Sequence, residues 1–105
     1  MTRGANGSAV KSEEQVKPLR WTSHVLAALV DRDIDRAEVE QTVASPESSV
    51  IDPPRRVVLM RRYADVRSGR QMLLRVVVEE SPDERVVVTV LKYKTSQIAK
   101  YINRT

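Results

Sequence analysis

The sequence predicts an α+β domain with two N-terminal helices, a three- or four-stranded antiparallel sheet and a short C-terminal helix. Three observations carry this. Residues 22–44 place apolar side chains at helical spacing behind helix-start signals. From Pro46 onward, valine-rich runs alternate with turn residues. The closing stretch "TSQIAKYI" returns to a helical pattern with Thr95 or Ser96 as its cap. At 105 residues the chain is one domain at most.

Residues 1–17, "MTRGANGSAVKSEEQVK", are small, polar and charged, and read as a disordered leader. The folded domain is expected to run from 18 to 105. "TSHVLAALVDRDI" is the first helix: Thr22 or Ser23 caps it, and Val25, Leu26, Leu29 and Val30 form its apolar stripe. A second start signal follows. Asp35 is the N-cap, Glu38 completes a capping box, and Ile34 with Val39 are placed as a hydrophobic staple. Val43 extends that stripe and Pro46 stops it.

"SSVID" reads as a short strand ended by Pro53-Pro54. In "RRVVLMRRY", Val57, Leu59, Arg61 and Tyr63 share one face, and Val58, Met60 and Arg62 share the other. "ADVRSGR" is a loop turning at Gly69. "QMLLRVVVEE" and "RVVVTVLKY" form a hairpin around the tight turn "SPDE". The runs Val76–Val78 and Val86–Val88 predict central strands covered on both faces.

Composition removes several classes of function. There is no cysteine, so disulfides, thiolate metal sites and cysteine nucleophiles are excluded. A single histidine argues against a histidine-rich metal centre, and no metal or cofactor is expected. Three glycines, two of them in the leader, leave no Gly-rich loop for a nucleotide. No apolar run approaches the roughly 20 residues that span a bilayer, and the leader lacks the apolar core of a secretory signal. A cytoplasmic, bacterial protein is the expectation.

The charges separate along the chain. Positions 31–47 are acid-rich, whereas "RRVVLMRRY" holds four arginines and no acid. Arg85, Lys92, Lys94, Lys100 and Arg104 follow with no carboxylate among them. The net charge of +4 favours an anionic partner. Cations on ordered strands suit phosphate well, because less side-chain entropy is lost on binding. Each residue also has a plainer reading: strand arginines as a solvated or protected edge, His24 as a neutral hydrogen-bonding residue near a helix start, Tyr93 as a packing anchor.

"SHVLAALVDRDIDRAEVEQTVASPESSVID", with the closing "VVVTVLKYKTSQIAKYI", resembles a bacterial family of small domains of unknown function. That family is placed in the RelE/ParE-like toxin superfamily, close to the BrnT-type ribonuclease toxins. His24 matches the histidine opening its first helix, Arg32-Asp33-Ile34 its arginine and following pair, and Asp35 its cap. Val87-Val88-Thr89-Val90 matches its closing strand and Lys100-Tyr101 its final pair. Coverage is about residues 19–102. One departure stands out: the arginine expected four residues after the histidine is Ala28.

The resemblance implies a toxin-like RNA-binding protein, or a metal-independent endoribonuclease of a toxin–antitoxin pair. His24 would act as general acid or base, and Arg32, Arg75 and Lys92 would complete the catalytic group by stabilising charge on the phosphate. Arg61, Tyr93 and Lys94 would bind substrate. Expected partners are RNA and an acidic antitoxin protein. Loss of the arginine at Ala28 favours the alternative, a catalytically inactive relative serving as a protein- or RNA-binding module. A third class is self-association, to a homodimer, through the edge of "SSVID" or "RRVVLMRRY".

Overall fold

The structure, a computed structural model, describes residues 17–95. The elements are β1 (Leu19–Trp21), α1 (Ser23–Asp31), α2 (Arg36–Ala44), β2 (Ser48–Asp52), β3 (Arg56–Asp65), β4 (Arg70–Glu80) and β5 (Arg85–Lys94). The strands form one sheet of five in the order β1-β5-β4-β3-β2. β2 through β5 run antiparallel to their neighbours, but β1 lies parallel to β5.

This corrects the predicted sheet of three or four antiparallel strands: it has five strands and is mixed. The RelE/ParE-like architecture expected from the resemblance is not the fold of these residues. The added strand, "LRW", has only three residues, too few for an alternating pattern to announce it. Its partners Arg85, Val86 and Val87 lie at the opposite end of the chain. The leader before Lys17 and the C-terminal helix after Thr95 fall outside the described residues.

The helices start as their sequences direct, with changes in detail. Thr22 caps α1, its hydroxyl accepting a hydrogen bond from the Val25 amide at 3.1 Å. The buried stripe is Val25, Ala28 and Leu29 rather than the expected four residues. Val30 is 77% exposed, and Leu26 also reaches solvent. Asp35 takes the N-cap backbone position of α2, but its side chain makes no cap bond. Its carboxylate instead accepts from Arg67 at 2.7 Å, and Glu38 turns to Arg61. The capping box therefore dissolves into two long-range ion pairs. The staple residues Ile34 and Val39 are both buried.

Both helices pack on one face of the sheet. Val25, Ala28, Leu29, Ile34, Val39 and Val43 meet Leu59, Tyr63, Met72, Leu74, Val76, Val78, Val87 and Val90 in a single core. Leu19 and Trp21 close its side, and Arg36 stacks 4.5 Å from the Trp21 ring centroid. The turns form where expected: Gly69 adopts φ +70 between β3 and β4, and Ser81 with Glu84 closes the last hairpin.

The β4–β5 register breaks once. Val77 faces Thr89, yet Val78 faces Val87, leaving Val88 as an extra residue. This bulge exchanges the faces of β5: Val87, Val90, Lys92 and Lys94 point to the helix side, and Thr89, Leu91 and Tyr93 to the other.

Candidate functional site

On the helix side, Arg61, Leu74 and Lys92 lie abreast on β3, β4 and β5. Both cations are engaged. The Lys92 ammonium donates to the Asp33 carbonyl at 2.8 Å, and Asp65 Oδ2 lies 3.7 Å away. The lysine thus ties the end of β5 to the α1–α2 bend and to the end of β3. Asp33 itself adopts φ 53, the left-handed conformation that closes α1. Arg61 spans to α2, pairing with the Glu38 carboxylate and donating to the Glu38 carbonyl and the Thr42 hydroxyl, each at 3.3 Å. Its guanidinium also lies 5.8 Å from the Tyr63 ring centroid.

Two titratable groups feel this cluster. The Ser68 hydroxyl, at 2.8 Å, holds the Asp65 carboxyl below its ordinary range, helped by the Lys92 charge and by backbone amides. Burial pushes the Tyr63 phenol up to about 12, reinforced by the negative charges of Asp65, Glu38 and Asp35. The Tyr63 hydroxyl is buried and has no hydrogen-bond partner among the described residues. Replacing a buried unsatisfied hydroxyl removes a desolvation penalty. Tyr63→Phe is therefore expected to raise stability by about 1 kcal/mol in urea unfolding. A loss of that size would mean that the hydroxyl has a partner.

The other face of the sheet has no helix against it among the described residues. There the strands set Arg62, Leu73 and Tyr93 abreast in one row, and Met60, Arg75 and Leu91 in the next. Val58, Val77 and Thr89 form a third row. Arg62 is committed to Glu47, whose carboxyl the bonds from the arginine side chain and backbone amide lower to about 2. Arg56 pairs with Glu79 and Arg20 with Glu84. Arg75, half-buried mid-face, has no ion pair among the described residues.

The expected catalytic and substrate-binding residues are therefore divided. Arg75 and Tyr93 share the helix-free face, while Lys92, Lys94 and Arg61 lie on the opposite face. His24 is exposed in the first turn of α1, beside Thr22, whose hydroxyl reaches the Val87 carbonyl at 3.4 Å. Arg32 is exposed at the far end of the same helix, about 12 Å along the axis, at a rise of about 1.5 Å per residue. Lys92 bonds the carbonyl of Asp33, the residue that follows Arg32 in the chain. Ala28 lies in the core, so the position expected to hold arginine faces the sheet. Among the described residues, no group of histidine and carboxylate side chains is placed to hold a metal ion, and no helix is long and apolar enough to cross a membrane.

Sequence reasoning missed Asp65, Glu38 and Asp33 as partners of these cations. The spacing of Asp65 and Ser68 in "ADVRSG" was the available signal, a local hydroxyl–carboxylate turn that fixes the acid at the strand end.

Fold and site together define an α+β domain whose helix side is braced by internal ion pairs and whose other side carries cationic and apolar groups. Residues 21–92 match the family described as Domain of unknown function (DUF4258), and the chain belongs to that family. The match takes in both helices and runs from Trp21 to Lys92; it carries no link to the RelE/ParE superfamily or to BrnT. No curated protein and no solved structure gave a match.

Proposed function

We propose that this domain is a toxin-like RNA-binding module that holds a single-stranded segment on the helix-free face of its sheet without cleaving it. The observation that carries this reading is Arg75. A half-buried guanidinium in the middle of an ordered sheet, without a carboxylate partner among the described residues, calls for an anionic partner. Tyr93 lies in the adjoining row, placed for base contact with a neighbouring nucleotide. The net charge of +4 favours approach of a polyanion. Cleavage is not part of the reading, because His24 and Lys92 lie away from Arg75, and Lys92 already serves as an internal brace.

Fluorescence anisotropy with a labelled single-stranded RNA tests this. Arg75→Ala is expected to weaken binding roughly tenfold, about 1.4 kcal/mol, and to lower the salt dependence by roughly one phosphate contact. Equal binding by the variant overturns the reading. Cleavage of the RNA by the native chain, lost in His24→Ala, would restore the nuclease.

The apolar neighbours Met60, Leu73 and Leu91 favour a second occupant of the same face, an acidic polypeptide with apolar residues of the antitoxin kind. Saturable binding of such a peptide, with no RNA affinity, would select that reading.

A further inference from the structure

We infer that two copies of this chain join edge to edge through β2, merging their sheets. β2 is the last strand of the sheet, and all five of its residues are exposed, with Val50 at 53% and Ile51 at 75%. Edge strands usually carry a lysine, a proline or a bulge that blocks further pairing. "SSVID" has no lysine or proline, and its register with β3 is unbroken from Ser48 opposite Met60 to Asp52 opposite Arg56. Pro46 and Pro53 bracket the strand and limit any pairing to its own length.

The strand's own sequence selects a second copy as the occupant. In antiparallel pairing about a two-fold axis at Val50, Val50 meets Val50, Ser49 meets Ile51, and Ser48 meets Asp52. The single charge of the strand then faces a hydroxyl that can donate to it. In-register parallel pairing would instead set Asp52 beside Asp52, which is disfavoured. The antiparallel arrangement also brings the two Ile51 side chains to diagonal positions on the helix side, covering the more exposed of the strand's two apolar residues. A contact of five residues per copy is smaller than a standard interface, so the dimer has modest affinity, with Kd on the order of 10–100 μM.

The absence of cysteine makes the register directly testable. Residues facing each other across such a pair have Cα atoms roughly 4.5–5.5 Å apart, within disulfide range. At about 100 μM protein, a concentration set by that affinity, Val50→Cys is expected to form an interchain disulfide under mild oxidation. Val66→Cys, at a position 89% exposed in the β3–β4 turn, is the control and is expected to stay monomeric. Val50→Lys, which sets ammonium against ammonium, is expected to shift the sedimenting species to monomer with an unchanged circular dichroism spectrum. The proposal is overturned if Val50→Cys cross-links no faster than Val66→Cys. It is equally overturned if the native chain sediments as monomer at this concentration, or if folded Val50→Lys remains dimeric. Should Val50→Lys not fold, the cross-linking comparison decides alone.

Discussion

Leu74→Ala is expected to cost about 3–5 kcal/mol, a large share of the about 5–15 kcal/mol that typically holds a domain folded. Leu74 is fully buried in the central strand, on the side where both helices pack. Its neighbours in register are Arg61 and Lys92, each fixed by its own hydrogen bonds. Neither is free to fold into the space the leucine leaves, so the cavity persists and its surface adds to the lost transfer energy. A urea titration reads the effect as a lower midpoint at unchanged slope. Leu74→Met, nearly equal in volume, is expected to lose less than about 1.5 kcal/mol. A loss below about 1 kcal/mol for Leu74→Ala would show that the helices collapse onto the strand, contrary to the packing described.

Lys92→Ala has the next largest expected effect, about 2–3 kcal/mol. The change removes the bond to the Asp33 carbonyl, the countercharge of a buried carboxylate and a largely buried side-chain stem. Asp65 keeps its Ser68 hydroxyl and backbone partners, which holds the loss below that of a fully isolated buried charge. Because the Asp65 carboxyl is lowered in the folded chain, its contribution is present above the unfolded carboxylate range, near about 4. It is lost as pH falls through the lower folded value. The stability difference between native and Lys92→Ala should therefore narrow on acidification. In a double-mutant cycle, Asp65→Asn should cost less in the Lys92→Ala background than alone. Strict additivity would show that the pair carries no coupling.

The positions of these two residues explain how far the sequence could be read. Capped starts and apolar spacing revealed both helices, because those signals are local. The alternation in "RRVVLMRRY" assigned Arg61 and Arg62 to opposite faces, as the register with β4 has them. β5 could not be read the same way. Strict alternation would put Val87, Thr89, Leu91 and Tyr93 on one face, but the extra residue Val88 divides that set. Nothing in three consecutive valines marks which one is looped out. That one residue decides that Lys92 is an internal brace and that Tyr93 shares a face with Arg75. Lys92 and Arg75 failed to meet for the same reason: residue type was legible, but the side of the sheet was not. The cap at Asp35 illustrates the other limit, since a local pattern gave way to ion pairs reaching Arg61 and Arg67 in later strands.

The parallel pairing of "LRW" with Arg85, Val86 and Val87 also fixes the order in which the chain can be completed on the ribosome. The first strand to emerge finds its neighbour only after the last hairpin has left the exit tunnel. Until then the inner side of α1 has no β5 to rest on and stays open to chaperones or to other nascent chains. For this topology the last hairpin, not the first strand, licenses the seating of the amino-terminal third of the domain.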